Sequence, residues 1–321
     1  MIFGHKVRKE DVVRIHKTFI VAVSLLVSLS LLLGCAGGGG KNPIVVGSKI
    51  DTEGALLAHT IMLLLDDAGI AVEDRSHFGP TQIVRKAITS GEIDLYPEYT
   101  GNGAFFFEGT DSEVWKDAQA GYEEVAKLDL EANNIVWLQP APANNTWAIA
   151  VPASLANDEG LKTLDDLAGY VSGGGEFKIA CSEEFVTSPA ALPAFQQAYG
   201  FELMDDQLLV LSGGNTAQTE QAAAQGTDGV NAAMAYGTDG SLSALDLVVL
   251  SDPRGVQPVY QPAPIVRGEV FDAYPEIADI LAPAFESLSL ETLQTLNARI
   301  AFEGQDAGDV ALEYLTQQGF L

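Results

Sequence analysis

The sequence predicts an α/β protein of two lobes, one inserted in the other, that clamps a ligand in a hinged central cleft. Three observations predict this. Short apolar strands and helices alternate from residue 44 to 99, and they alternate again from 146 to 250. Between these runs, and again after the second, stand passages broken by Pro, at 140–145 with Asn144-Asn145 and at 252–258 with Gly255. A last strand with three helices then returns the chain to the first lobe. The expected partition is 43–145 and 257–321 for the first lobe and 146–256 for the inserted one.

In order, Ile44-Val45-Val46-Gly47-Ser48-Lys49 reads as a buried strand running into a loop. A helix over 53–67 follows, with Leu56, Ile61, Leu64 and Leu65 as core positions and Gly69 as its stop. Ala71 and Val72 begin a second strand, and 81–90 is a helix with Ile83, Ala87 and Ile88 facing inward. The third strand carries Asp94, Tyr96, Glu98 and Tyr99, and its alternation reads as a half-buried strand with Asp94 and Glu98 as strand-edge or structural residues and Tyr96, on the same face, packing or facing solvent. A β-α-β-α-β order implies parallel strands, whose ligands sit beyond the carboxyl ends, where Lys49 and Tyr99 fall. A helix over 112–133 and a strand over 135–138 precede the first passage. In the second lobe the strands are expected at 146–151, 177–181, 207–211, 232–235 and 247–250, and the helices at 164–167, 189–199 and 216–224. The strand 263–266 and helices near 275–281, 289–300 and 306–317 complete the first lobe.

The chain has 321 residues, 47% hydrophobic and 19% charged, ample for a full core. Its 17 basic and 44 acidic side chains give a net charge of −27, which argues against a nucleic-acid partner, since phosphate binding needs clustered Lys and Arg. Residues 1–35 read as an export signal: a basic start from Lys6 to Lys17, an uncharged run over 18–33, then Leu32-Leu33-Gly34-Cys35. The last four residues resemble the bacterial lipobox, which implies that Cys35 becomes a lipid-modified first residue and that 36–42 is a flexible tether. Cleavage removes five basic and two acidic residues, so the remainder carries −30 and lies outside the cytoplasm, held at a membrane. Cys181 is then the one cysteine left besides Cys35, and its apolar neighbours mark it as a buried thiol. His59 and His77 lack partners at ligand spacing, so no zinc site or other metal is expected.

Catalysis finds no support. There is no Gly-x-Ser-x-Gly elbow, no Walker loop and no His-Glu-x-x-His pair, and Gly173-Gly174-Gly175 precedes a strand instead of linking strand to helix. No cofactor is implied. Binding is better supported, because Tyr99, Trp147, Tyr236 and Tyr260 fall at strand ends or at the two passages. Aromatic faces around one cleft hold a quaternary ammonium, each contributing ~0.5–2 kcal/mol. Three or four rings supply roughly 2–8 kcal/mol, against about 8 kcal/mol for micromolar binding. Lys49 suits an anionic end of the same ligand.

Five blocks, in order over essentially the whole mature chain, resemble the glycine betaine/choline substrate-binding proteins of osmoprotectant ABC transporters. They are Gly47-Ser48-Lys49, Gly91-Glu92-Ile93-Asp94 with Tyr96-Pro97-Glu98-Tyr99-Thr100-Gly101, Asn145-Thr146-Trp147-Ala148, Tyr236-Gly237-Thr238-Asp239-Gly240 and Val259-Tyr260-Gln261-Pro262-Ala263-Pro264. The resemblance implies a type II periplasmic-binding-protein fold that delivers ligand to a membrane permease and its ATPase. It assigns the aromatic box to Tyr99, Tyr236 and Tyr260, with Trp147 where a tyrosine is usual, and the carboxylate-binding lysine to Lys49. Asn102 stands where a threonine often donates a hydrogen bond. Ser188, in Glu184-Phe185-Val186-Thr187-Ser188-Pro189, stands where the family clamps the ligand carboxylate with an arginine. A serine cannot supply that bidentate charged pair, which leaves open a weakly held betaine, choline, another zwitterion or amino acid, or a sensory role.

Overall fold

The computed structural model describes residues 42–211 and 216–321. Cys35, the signal segment and all but the last residue of the tether lie outside the described residues. Among the described residues, ten strands form two five-stranded sheets. The first holds β1 (Ile44–Lys49), β2 (Val72–Gly79), β3 (Leu95–Tyr99), β4 (Ile135–Trp137) and β10 (Pro262–Arg267). The second holds β5 (Trp147–Pro152), β6 (Ile179–Ser182), β7 (Leu208–Leu211), β8 (Ala232–Tyr236) and β9 (Leu247–Val249).

The two sheets share one plan. Their strand orders are β2-β1-β3-β10-β4 and β7-β6-β8-β5-β9. The expected parallel pairs are present, β1 with β2 and β3, and β6 with β7 and β8. One strand in each sheet runs against its neighbours: β10 between β3 and β4, and β5 between β8 and β9. Each reversed strand follows a passage between the sheets, because a chain crossing beside the ends where the parallel strands finish enters the sheet from those ends.

Helices cover both faces of each sheet. On the first sheet, helix Thr52–Asp67 and the C-terminal helices pack on one side, burying Leu56, Ile61, Leu64 and Leu65 as the periodicity requires. Helices Thr81–Ser90 and Ala118–Asn133 pack on the other, around Val84, Ile88, Tyr96 and Trp137. Arg85 braces this pair of helices with two bonds to the buried Asp129, at 2.7 and 2.5 Å.

This two-sided cover overturns three expectations. Ile83 does not face inward: it is 49% exposed, and Val84 takes the buried place one residue later. The third strand is central, not half-buried, and all five of its residues are buried. Glu98 is therefore inside, with Tyr96 packed in the core on the same strand, and Asp94 is not a free solvated acid but pairs with Arg267 at 2.9 Å. Alternation locates a solvent face only where a sheet has one. The helix expected over 112–133 is also split, into a 3₁₀ turn Ser112–Lys116 and helix Ala118–Asn133, because the Asp117 side chain accepts from Ala120 N at 2.8 Å and starts the helix afresh.

The two passages run side by side. Asn145 N donates to Tyr260 O at 2.9 Å, and the Thr146 hydroxyl donates to Pro258 O at 2.8 Å. A third tie is helix Leu290–Ala301, which packs with the first core while its Gln294 amide donates to Gly237 O at 2.7 Å. Gly240 lies so close to this helix that a Cβ there would sit 2.3 Å from Ala298 N and 2.5 Å from the Asn297 carbonyl carbon. Both atoms are backbone and cannot rotate aside. Gly240→Ala should thus lower stability by ~1–3 kcal/mol in urea unfolding. Gly169→Ala, in a helix where nothing lies within 4 Å of the new Cβ, should instead raise it by ~0.5–1 kcal/mol.

Candidate functional site

The four candidate aromatics occupy equivalent places in the two sheets. Tyr99 ends β3, and Tyr260 stands just before the reversed strand β10, where Pro262 faces Tyr99 in register. Tyr236 ends β8, and Trp147 opens the reversed strand β5 directly opposite it. Each sheet thus offers one ring from the end of a central parallel strand and one from the arriving reversed strand.

Trp147 and Tyr236 stack with ring centroids 6.4 Å apart and planes 18° from parallel. Buried Phe185 meets Trp147 edge-on at 6.1 Å and 84°, which fixes the indole from behind. Tyr260 lies over Gly101, where a Cβ would come within 2.8 Å of the ring, so only glycine lets the turn pass beneath it. Its backbone is held by the Asn144 side chain, which accepts from Tyr260 N at 2.8 Å. Burial pushes the Tyr260 phenol up to about 12, with charge on Tyr236 and Glu98 adding to the shift.

The polar candidates converge on Glu98, a residue that sequence reading placed outside. Its side chain is 0% exposed. Lys49 Nζ donates to it at 2.5 Å, the Tyr96 hydroxyl at 2.7 Å, Asn102 Nδ2 at 2.7 Å and the Tyr99 backbone N–H at 2.7 Å. Lys49 Nζ also lies 4.3 Å from the centre of the Tyr99 ring and covers one of its faces. Lys49, Tyr99 and Asn102 are thus brought together as expected positions, but around an internal carboxylate. Strand alternation gave no signal for it, since β3 is buried on both faces.

Ser188 closes the short helix Glu183–Thr187, its backbone N–H donating to Glu184 O at 2.8 Å. It is joined to the aromatics through that helix, which carries Phe185 against Trp147 and sets the Glu184 charge close enough to raise the Tyr236 phenol, whose main shift comes from burial. Behind Tyr236, Asp239 accepts from the Tyr236 N–H at 2.7 Å. Glu220 lies buried beside Asp239, and its carboxyl oxygens have no hydrogen-bond partner among the described residues. Burial, reinforced by the Asp239 charge, holds the Glu220 carboxyl far above the usual range, so it keeps its proton at neutral pH. Cys181 is fully buried and its thiol is pushed up to about 11 by burial, as an inert packing residue requires.

A model of the family described as the substrate-binding domain of ABC-type glycine betaine transport systems matches residues 42–317. The glycine betaine-binding protein YehZ of Escherichia coli K12 is 55% identical over 304 residues, which cover 95% of this chain and 98% of YehZ. A glycine-betaine-binding protein of Pseudomonas aeruginosa is 32% identical, covering 91% of this chain and 94% of its own length. The solved structure of apo YehZ from Escherichia coli superposes with a TM-score of 0.83 at 57% identity, over 87% of this chain and all of that one.

The two buried acids behave oppositely on neutralisation. Glu98→Gln leaves Lys49 buried without its countercharge and should cost ~3–5 kcal/mol in chemical denaturation at pH 7. Glu220→Gln replaces a group that is protonated in the fold but ionised in the unfolded chain at that pH, and should already be stabilising. A raised carboxyl stabilises the fold below its unfolded value and loses that contribution as pH rises toward its folded value. Glu220→Gln should therefore unfold at a higher temperature than the unsubstituted protein at pH 9, with the difference shrinking toward pH 5.

Proposed function

Because the chain belongs to the family of substrate-binding domains of ABC-type glycine betaine transport systems, we propose that it captures a quaternary-ammonium solute, glycine betaine or choline, between Tyr99, Trp147, Tyr236 and Tyr260. The protein is an extracytoplasmic substrate-binding component of a transporter and not an enzyme. The observation that carries the ligand reading is the equivalent placement of two aromatics in each sheet, at the ends that meet at the paired passages. A trimethylammonium group has a spread positive charge and no proton to donate, so ring faces attract it where hydrogen-bond acceptors gain little. Closure of the two lobes over the cation completes the box, and the closed form is the one delivered to the permease and its ATPase, a shift between two populated states. Cys35 is lipid-modified and holds the protein at the membrane.

The carboxylate end of a betaine meets a less favourable setting. Lys49 and Asn102, the natural donors for it, are both bonded to Glu98, and Ser188 brings no charge. A bound carboxylate has to share these donors with Glu98, so the cation is the principal determinant and betaine gains little over choline. The same arrangement favours, as a second reading, a cationic ligand without any acidic group.

Calorimetry with glycine betaine, choline, carnitine and proline betaine checks the ligand class, and at least one should bind. Absence of heat from all four at millimolar concentration overturns the reading. Trp147→Ala and Tyr236→Ala should each weaken the bound solute by at least ~1 kcal/mol, and unchanged affinity in both removes them from the site. Cys35→Ala should release the protein from washed membranes, whereas its retention there excludes a lipid anchor at Cys35.

A further inference from the structure

Glu53 is 5% exposed, in the first turn of helix Thr52–Asp67, and no basic side chain among the described residues bonds to it. Neutral donors fill its oxygens instead. The Tyr99 hydroxyl donates to Oε1 at 2.7 Å, Asn145 Nδ2 to Oε1 at 3.3 Å and Asn297 Nδ2 to Oε2 at 2.6 Å. These donors come from three places: the end of β3, the first passage between the sheets, and helix Leu290–Ala301. Asn297 Nδ2 also donates to Thr238 O at 2.9 Å, in the turn that follows Tyr236. Both amides commit their nitrogen to Glu53 at a cost, because Asn145 Oδ1 and Asn297 Oδ1 are left buried without partners among the described residues. Turning either amide over would set oxygen against oxygen.

We infer that Glu53 is a positioning residue, which fixes the Tyr99 ring through its phenol and ties that ring to the passage and helix that join the two lobes. The inference rests on the reading of Tyr99 as a wall of the ammonium box. Asn297 also reaches Thr238 O in the inserted lobe, so rotation of that lobe bears on Glu53, and through it on the Tyr99 ring, by way of this amide. A carboxylate accepts three donors at once, whereas its protonated form gives up one acceptor site to a proton. Burial pushes the Glu53 carboxyl up to about 7, against the hydrogen bonds from Thr238, Tyr99 and Asn297, with the Asp51 charge adding to the rise. The other charged groups nearby are the Lys49–Glu98 pair beyond the Tyr99 ring and Asp239 after Thr238. The helix Leu290–Ala301 and the first passage present neutral amides.

Two opposite pH dependences follow. Ligand binding should strengthen as Glu53 ionises and orders Tyr99. Ligand-free stability should fall over the same interval, because a raised carboxyl loses its stabilising contribution as pH rises from about 4.5 through about 7.

The test uses Tyr99→Phe, Glu53→Gln and the double variant, with glycine betaine and choline calorimetry at pH 6 and 8 and ligand-free thermal midpoints from pH 5 to 8. Tyr99→Phe keeps the ring, so its loss cannot be a lost cation–π face. We expect the unsubstituted protein to bind several-fold tighter at pH 8 than at pH 6. Each single variant should bind about tenfold more weakly at pH 8, the scale of one hydrogen bond to a charged group, and lose the pH dependence, with the double variant little worse than either. In the ligand-free protein Tyr99→Phe should extend the fall in midpoint to higher pH, since the carboxylate loses a donor. Wild-type binding by Tyr99→Phe at both pH values, or losses that multiply in the double variant, overturns the inference. If the unsubstituted protein binds neither solute, the box reading fails by itself, and an unchanged midpoint profile in Tyr99→Phe then decides against Glu53.

Discussion

The buried ion pair between Lys49 and Glu98 is the constraint that the wall of the first lobe depends on. Two charges out of water are tolerated only when geometry and further hydrogen bonds offset the loss of hydration. Here the offset comes from four donors on one carboxylate, supplied by Lys49, Tyr96, Asn102 and the Tyr99 backbone. Satisfying Glu98 therefore fixes, in one act, the end of β1, the course of β3 and the turn that follows it. Tyr99 is placed twice over, by its N–H on Glu98 and by its hydroxyl on Glu53.

The second lobe reaches a similar arrangement by packing. Trp147 lies between Tyr236 and Phe185, and the short helix bearing Phe185 follows directly from β6. Its acids, Glu220 and Asp239, lie behind Tyr236 without a basic partner among the described residues, so one of them keeps a proton where Glu98 keeps a lysine. One sheet thus fixes its terminal rings by charge and the other by stacking. The shared topology explains why both succeed, since the reversed strands β5 and β10 arrive beside the ends of β8 and β3 in the same way.

Much of this was legible in the residues. The helix over 53–67 and its core positions follow from periodicity and a glycine stop, and the parallel order of β1, β2 and β3 follows from alternation of elements. The aromatic candidates were found by where they stood, at strand ends and passages. What misled was the two-residue period of β3. It left Glu98 and Asp94 as strand-edge acids, but helices cover both faces of that sheet. Ile83 failed for a related reason, since a single turn of helix does not say which of two adjacent apolar residues faces the sheet.

By itself the sequence determined the alternation of elements, the four aromatics and the absence of a catalytic constellation, because these depend on local pattern and residue chemistry. Only the tertiary structure decided which acids are inside. Glu53 draws its partners from positions 99, 145 and 297, and Glu98 pairs with position 49. A buried carboxylate is defined by donors that converge from distant parts of the chain, and no local pattern records that convergence.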